Sequence, residues 1–190
     1  MPLLGRLLKN RRAGEAHTAW LLPRLQGPDE LVLSSRHLTE GGPFPLEHRA
    51  RSAGGEDLSP HLAWSAPPSG TAQLLLVVED IDVPTPKPAV HCTALIDPAA
   101  GQLEAGALSG RAPGAGVRVL RSTIGRGYHG PAPIKGHGPH RYTFQLFALP
   151  SPVEAAPGAA PVDRLRPRAL LAAVEGPVLA RGRLTAVHER

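Results

Sequence analysis

From His140 to Leu149 the chain reads HRYTFQLFAL. In an extended backbone Tyr142, Phe144, Leu146 and Ala148 fall on one side, and Arg141, Thr143 and Gln145 start the other. This alternation predicts a strand with one core-facing side, and it places His140 and Tyr142 on that side. Gln73 to Val78 is apolar without alternation, as expected of a strand covered on both faces, and it runs into Glu79, Asp80 and Asp82. Val90 to Ile96 reads as the next strand, with His91, Thr93 and Leu95 on one face and Val90, Cys92, Ala94 and Ile96 on the other. Shorter extended runs are expected at Leu31–Ser34, Phe44–Leu46, Leu62–Ser65, Val117–Leu120 and Arg183–His188.

Helical spacing is confined to two places. Pro167 to Leu179 carries Leu170, Leu171, Val174 and Val178 on one stripe, interrupted by Gly176-Pro177. Leu3, Leu4, Leu7 and Leu8 share one face of a short helix among Arg6, Lys9 and Asn10. We expect this arm to pack on the domain or on a second subunit rather than to lie in an anionic membrane surface, and Ala13 to Asp29 to be an irregular lead-in. The pattern predicts a mainly β protein, an antiparallel two-sheet β-sandwich with a C-terminal helix and a short N-terminal helical arm. Residues 1–30 form the arm and lead-in, and residues 31–190 the domain.

Composition agrees with many turns: the 190 residues include 21 Gly and 22 Pro. Aromatic residues are only 4%, so the core must be built mainly of Leu, Val and Ala. The formal charge of +5 does not indicate nucleic acid, because the Arg and Lys residues are scattered from Arg6 to Arg190 without a dense block. One cysteine, Cys92, excludes an internal disulfide and is compatible with a reducing compartment. No apolar run reaches the roughly 18 residues of a membrane span, and the N-terminus lacks the layout of a secretory signal. A cytoplasmic protein with at most peripheral membrane contact is expected.

The candidate chemistry gathers at strand ends. Gly127 to Pro139 (GYHGPAPIKGHGP) is a turn-rich loop delivering His140 and Tyr142, two polar rings that need partners. The run GYHGPAPIKGHGPHRYTFQLFAL resembles the second signature block of the phosphatidylethanolamine-binding protein family, which includes bacterial Raf-kinase-inhibitor-like proteins. LLLVVEDIDVP followed by VHCTALIDP resembles the first block, with Asp80, Asp82, Pro84 and His91 in the expected places. The resemblance implies a small anion or phospholipid-headgroup pocket built from Asp80, Asp82, Pro84, His91, Pro133, Gly136, His140 and Tyr142. It also implies a non-enzymatic binding protein, a homodimer, and modulation of a kinase or protease partner as in some relatives.

On chemical grounds His91, His140 and Tyr142 supply donors for an anion, and the carboxylates orient the imidazoles. Asp82 has a competing structural role, pairing with Arg141 to pin two loops, and we favour it. His129 and His137 are expected to be exposed loop residues. No metal pattern and no cofactor motif is present. The chain departs from the family at Ile81, Val83, Cys92 and Ile134, which bear on the shape of the pocket. The alternatives are a hydrolase using a His-Asp pair, though no G-x-S-x-G occurs, or an interaction protein with a vestigial pocket.

Overall fold

The computed structural model describes residues 2–190. Its larger sheet has five antiparallel strands in the order β6-β4-β3-β7-β8. These are β3 (Gln73–Asp80), β4 (Ala89–Ile96), β6 (Val117–Val119), β7 (His140–Leu149) and β8 (Ala180–His188). A smaller antiparallel sheet holds β1 (Leu33–Ser34), β2 (Leu62–Trp64) and β5 (Gln102–Leu103), in the order β1-β2-β5.

The unbroken apolar run of β3 is explained by its place at the centre of the larger sheet. Leu74, Leu76 and Val78 enter the core between the sheets, with Leu62, Trp64, Phe144 and Leu146. Leu75 and Val77 enter a second core on the outer face, with Trp20, Leu25, Phe147, Leu170 and Leu171. Each fully buried Leu contributes about 1.5–3 kcal/mol relative to exposure. β7 keeps the predicted alternation, Tyr142, Phe144, Leu146 and Ala148 all facing inward.

The outer core needs a lid, and both ends of the chain supply it. Two 3-10 turns, Ala19–Leu21 and Pro23–Leu25, bury Trp20 and Leu25. Helix α2 (Pro167–Ala172) buries Leu170 and Leu171. Glu79, fully buried on the outer side of β3, ties these pieces together. It accepts from the Ala19 N–H at 2.7 Å and from Gln145 at 2.9 Å, and it pairs with Arg168 at 2.9 Å. Arg181 on β8 stacks over the Trp20 ring at 4.0 Å and bonds Asp29 at 2.6 Å.

Three local expectations are corrected. The extended run at Phe44–Leu46 makes no strand: Pro43 forms only an isolated bridge to Val187, and Leu46–His48 is a 3-10 turn. Pro45 withholds the N–H a ladder would need. The late helix stops at Ala172, well short of Leu179. Outside the expected extended runs, Gln102–Leu103 forms the short strand β5.

The arm begins with helix α1 (Pro2–Leu8). Gly5 is buried against the 135–137 loop, where an added Cβ would stand 2.2 Å from the Lys135 carbonyl oxygen. Only glycine lets the helix backbone approach so closely. Beyond α1 the chain is fastened by Ala13 N–H to the Val83 carbonyl (2.9 Å) and Gly14 N–H to the Ile81 carbonyl (2.8 Å).

Candidate functional site

The ends of β3, β4 and β7 bring Asp80, His91, His140 and Tyr142 to one cavity of about 390 Å³, with Pro133 in its wall. Asp80 and Tyr142 are register partners on neighbouring strands. His91 is delivered differently. Val78 pairs with Cys92 but Glu79 pairs with Val90, so His91 is the extra residue of a β-bulge. The bulge turns the imidazole inward, edge-on to the Tyr142 ring with centroids 5.1 Å apart. Strict alternation along Val90–Ile96 therefore fails at this residue: Val90 joins the outer core while Cys92 stays in the inner one.

Hydrogen bonds assign the two imidazoles different jobs. His91 Nδ1 lies 2.8 Å from the His129 carbonyl oxygen and must donate to it, which leaves Nε2 for a ligand. Burial lowers the His91 pKa, so the ring is held neutral with a lone pair on Nε2. His140 has no free nitrogen. Its Nδ1 is 2.8 Å from Asp80 Oδ2, and its Nε2 is 2.7 Å from His137 Nδ1. His137 Nε2 in turn donates to the carbonyls of Leu8 (2.9 Å) and Arg11 (3.1 Å). The array thus runs unbroken from Asp80 through two imidazoles to the backbone of the arm. The other Asp80 oxygen accepts the Asp82 N–H at 2.9 Å.

Two buried polar atoms of the lining have no partner among the described residues, His129 Nε2 and the Tyr142 hydroxyl. Tyr142 is 1% exposed, and its hydroxyl stands near the Asp80 carboxylate and the Ala132 backbone without reaching hydrogen-bond geometry to any described residue. Burial, then the nearby Asp80 carboxylate, raise its pKa above the ordinary tyrosine value, so the hydroxyl keeps its proton. An unpaired buried hydroxyl costs about 1–3 kcal/mol, which a ligand oxygen in the cavity would relieve.

Three of the expected site residues lie outside the cavity lining. Asp82 turns away to Arg141, with Arg141 Nε at 2.8 Å and the Arg141 N–H at 2.9 Å, and to Arg12 at 2.9 Å. Burial alone would raise its pKa, but these bonds outweigh it and hold the carboxyl down to about 2. Gly136 offers no N–H, because that group donates to the Arg190 carbonyl at 2.9 Å. Pro84 sits in the loop beyond, while Val83 takes the place on the wall.

The expectation that His129 and His137 are exposed is overturned. His137 is fully buried under the arm, and His129 lines the cavity. The sequence offered one signal: His137 stands between Gly136 and Gly138, whose φ of 80° and 99° bend the loop inward. Asp57 was missed too. It holds the wall by accepting the Gly130 N–H at 2.8 Å, from a backbone φ of 57° that is rare outside glycine. Ile124 and Ile134 add aliphatic surface to the lining.

Other chemistry finds little support in the geometry. Cys92 is buried and its thiol is pushed up to about 12 by desolvation, so no thiolate forms near neutral pH. Among the described residues no three His, Cys, Asp or Glu side chains are arranged to hold a metal ion.

The fold and the cavity define an antiparallel β-sandwich with a small, largely apolar pocket carrying a few polar groups at one end of the larger sheet. The chain belongs to the phosphatidylethanolamine-binding protein family, whose pattern it matches over residues 34–189. A UPF0098 protein of Mycobacterium tuberculosis is 35% identical over 131 residues, covering 68% of this chain and 59% of the relative. The matched part thus spans well under two thirds of the length of that mycobacterial relative. The UPF0098 protein YbhB of Escherichia coli is 38% identical over 124 residues, 63% of this chain and 78% of YbhB. Among solved structures, Escherichia coli YbcL, described as a member of the mammalian PEBP family, superposes with a TM-score of 0.72 at 28% identity. That superposition covers 85% of this chain and 99% of YbcL.

Proposed function

We propose that the protein is a non-enzymatic binding protein whose cavity takes a small phosphate-bearing headgroup. The observation that carries this reading is the Tyr142 hydroxyl, buried, protonated and unpartnered beside a cavity that His91 also lines. The volume of about 390 Å³ falls within the range of small-molecule pockets. Tyr142 donates to a ligand oxygen. His91 Nε2 accepts from a protonated ligand while neutral, and donates once it takes up a proton. Both Asp80 oxygens face protein partners, the His140 ring and the Asp82 N–H, and an amine on the same ligand would find Asp80 within the cavity.

Membership of the family supports binding over turnover. So does the local chemistry: Cys92, in the core, is inert, and the Ser35 hydroxyl meets histidines at the His61 carbonyl and the His37 N–H, not at an imidazole nitrogen. A cytoplasmic setting is consistent with a lone buried cysteine. No described helix is long and apolar enough to cross a membrane, although one Mycobacterium tuberculosis relative, LppC, is named as a candidate lipoprotein. Modulation of a kinase or protease partner would be an extension of the same binding role.

The test is a titration with phosphate, phosphoethanolamine and acetate, followed at the ring signals of His91. Phosphoethanolamine and phosphate are expected to move the His91 signals at millimolar concentration, more strongly at pH 5.5 than at pH 7.5. The sign follows from burial, which keeps the free imidazole neutral, so anion binding draws in a proton. Signals that stay fixed at every pH would sink the reading.

A further inference from the structure

Helix α1 sits close to the cavity yet contributes nothing to it. At 100° per residue, Leu3, Leu4 and Leu7 span one arc of about 100°, with Gly5 on the opposite side. Gly5 is the face that docks on the 135–137 loop, so the leucines point outward. Leu3 is 68% exposed, Leu4 55% and Leu7 82%. No described part of the chain covers them. The helix is too short to hold its shape alone. It is kept in place by His137, which donates to the Leu8 and Arg11 carbonyls, and by Arg12, which reaches Asp82 and the Pro139 carbonyl.

Charge indicates what meets this face. Arg6, Lys9 and Arg11 are exposed, and residues 1–14 include no Asp or Glu. Three leucines with Arg6 beside them on α1, and with Lys9 and Arg11 exposed just after it, match an anionic bilayer surface, with apolar side chains among the acyl chains and basic groups at the phosphates. A second copy of this chain fits poorly, because a two-fold contact through α1 would bring two sets of Arg6, Lys9 and Arg11 to one interface with no acidic residue among residues 1–14 to offset them. The position is also informative: α1 rests on the loop that begins just after Ile134, a residue of the cavity wall.

We propose that α1 and its flanking basic residues form a docking surface for anionic lipid bilayers, alongside the cavity. Seven residues span about 10 Å, so the helix lies in the interface and does not cross it. Attachment by one such element is weak and reversible, and added salt weakens it further. The inference stands on the helix alone and does not depend on what fills the cavity.

The experiment is co-sedimentation of the full chain with vesicles of phosphatidylcholine alone or mixed with phosphatidylglycerol. Binding is expected only to the mixed vesicles and is expected to fall at high salt. In the combined variant Leu3→Ser, Leu4→Ser, Leu7→Ser it should drop at least about tenfold, because each exchange removes apolar burial from the bilayer. These side chains are exposed, so the variant should keep the far-ultraviolet spectrum and the His91 phosphate titration of the parent. A failure of the headgroup reading would appear separately, as His91 signals unmoved by phosphate in both proteins. Three results would overturn the docking proposal: no binding to mixed vesicles, undiminished binding by the variant, or a dimer of the parent that the leucine exchanges dissociate.

Discussion

Tyr142 and His140 stand two residues apart on one strand, and their rings lie 6.4 Å apart, yet the protein treats them oppositely. His140 is bonded at both nitrogens and serves as a strut between Asp80 and His137. Tyr142 is left with an idle hydroxyl. Removing a buried group that bonds to nothing should cost no stability, whereas removing one that bonds to ligand should cost affinity. Tyr142→Phe is therefore expected to raise the unfolding free energy or leave it within about 0.5 kcal/mol, while weakening phosphoethanolamine binding about tenfold. Denaturant unfolding and calorimetric titration on the same preparation check both halves. A loss of stability near 2 kcal/mol would mean the hydroxyl has a protein partner after all. Periodicity alone put His140 and Tyr142 on one side, but it carried no information about which ring was free. That distinction depends on His137, more than fifty residues from the groups the array connects: Asp80 on one side, Leu8 and Arg11 on the other.

Among the elements, β3 and β7 were legible because their patterns are local. An uninterrupted apolar run means two covered faces, and strict alternation means one inward face. β4 was legible as a strand but not in its facing, since a bulge inserts one residue and leaves no mark in hydropathy. The resemblance to signature blocks reached His91 where periodicity misassigned its direction. It also drew in Asp82, Pro84 and Gly136, which lie outside the cavity lining, Asp82 being bonded to Arg141 and the Gly136 N–H to Arg190. The arm was readable as an amphipathic helix, but its docking through Gly5 was not, because glycine's value there is the absence of a side chain. Gly5→Val should lift α1 from the 135–137 loop, since its Cβ would meet backbone rather than a movable side chain. Amides of residues 6–11 are expected to exchange at least about tenfold faster, with β3 amides unchanged. Equal protection in the two proteins would show that the contact does not hold the helix.

For the molecule as a whole, buried histidines make acid the natural solvent for unfolding. His188 ends β8 as the register partner of His140, and burial, with the charges of Arg49 and Arg190, lowers its pKa to about 4. An unfolded chain takes up that proton near pH 6.5, ahead of the folded one. The associated stability is complete above about pH 6.5 and is lost as pH falls toward 4, on the order of 2 kcal/mol. His48 and His91, also lowered by burial, act in the same sense. Asp82 adds a later step: held at about 2, it contributes stability above its unfolded value near 4 that disappears as pH falls through 2. Melting temperature should thus decline in two stages, and His188→Gln should flatten the first while leaving the second. A curve flat from pH 7 to 5 would contradict the assignment. The central claim is spatial, that a headgroup sits between the ring delivered by the bulge of β4 and the hydroxyl delivered by β7. Diffraction from crystals soaked in phosphoethanolamine tests it most directly. The account predicts density in the cavity, with ligand oxygens about 2.6–3.2 Å from Tyr142 Oη and His91 Nε2. A cavity holding only water, or a headgroup bound elsewhere on the sandwich, would contradict it.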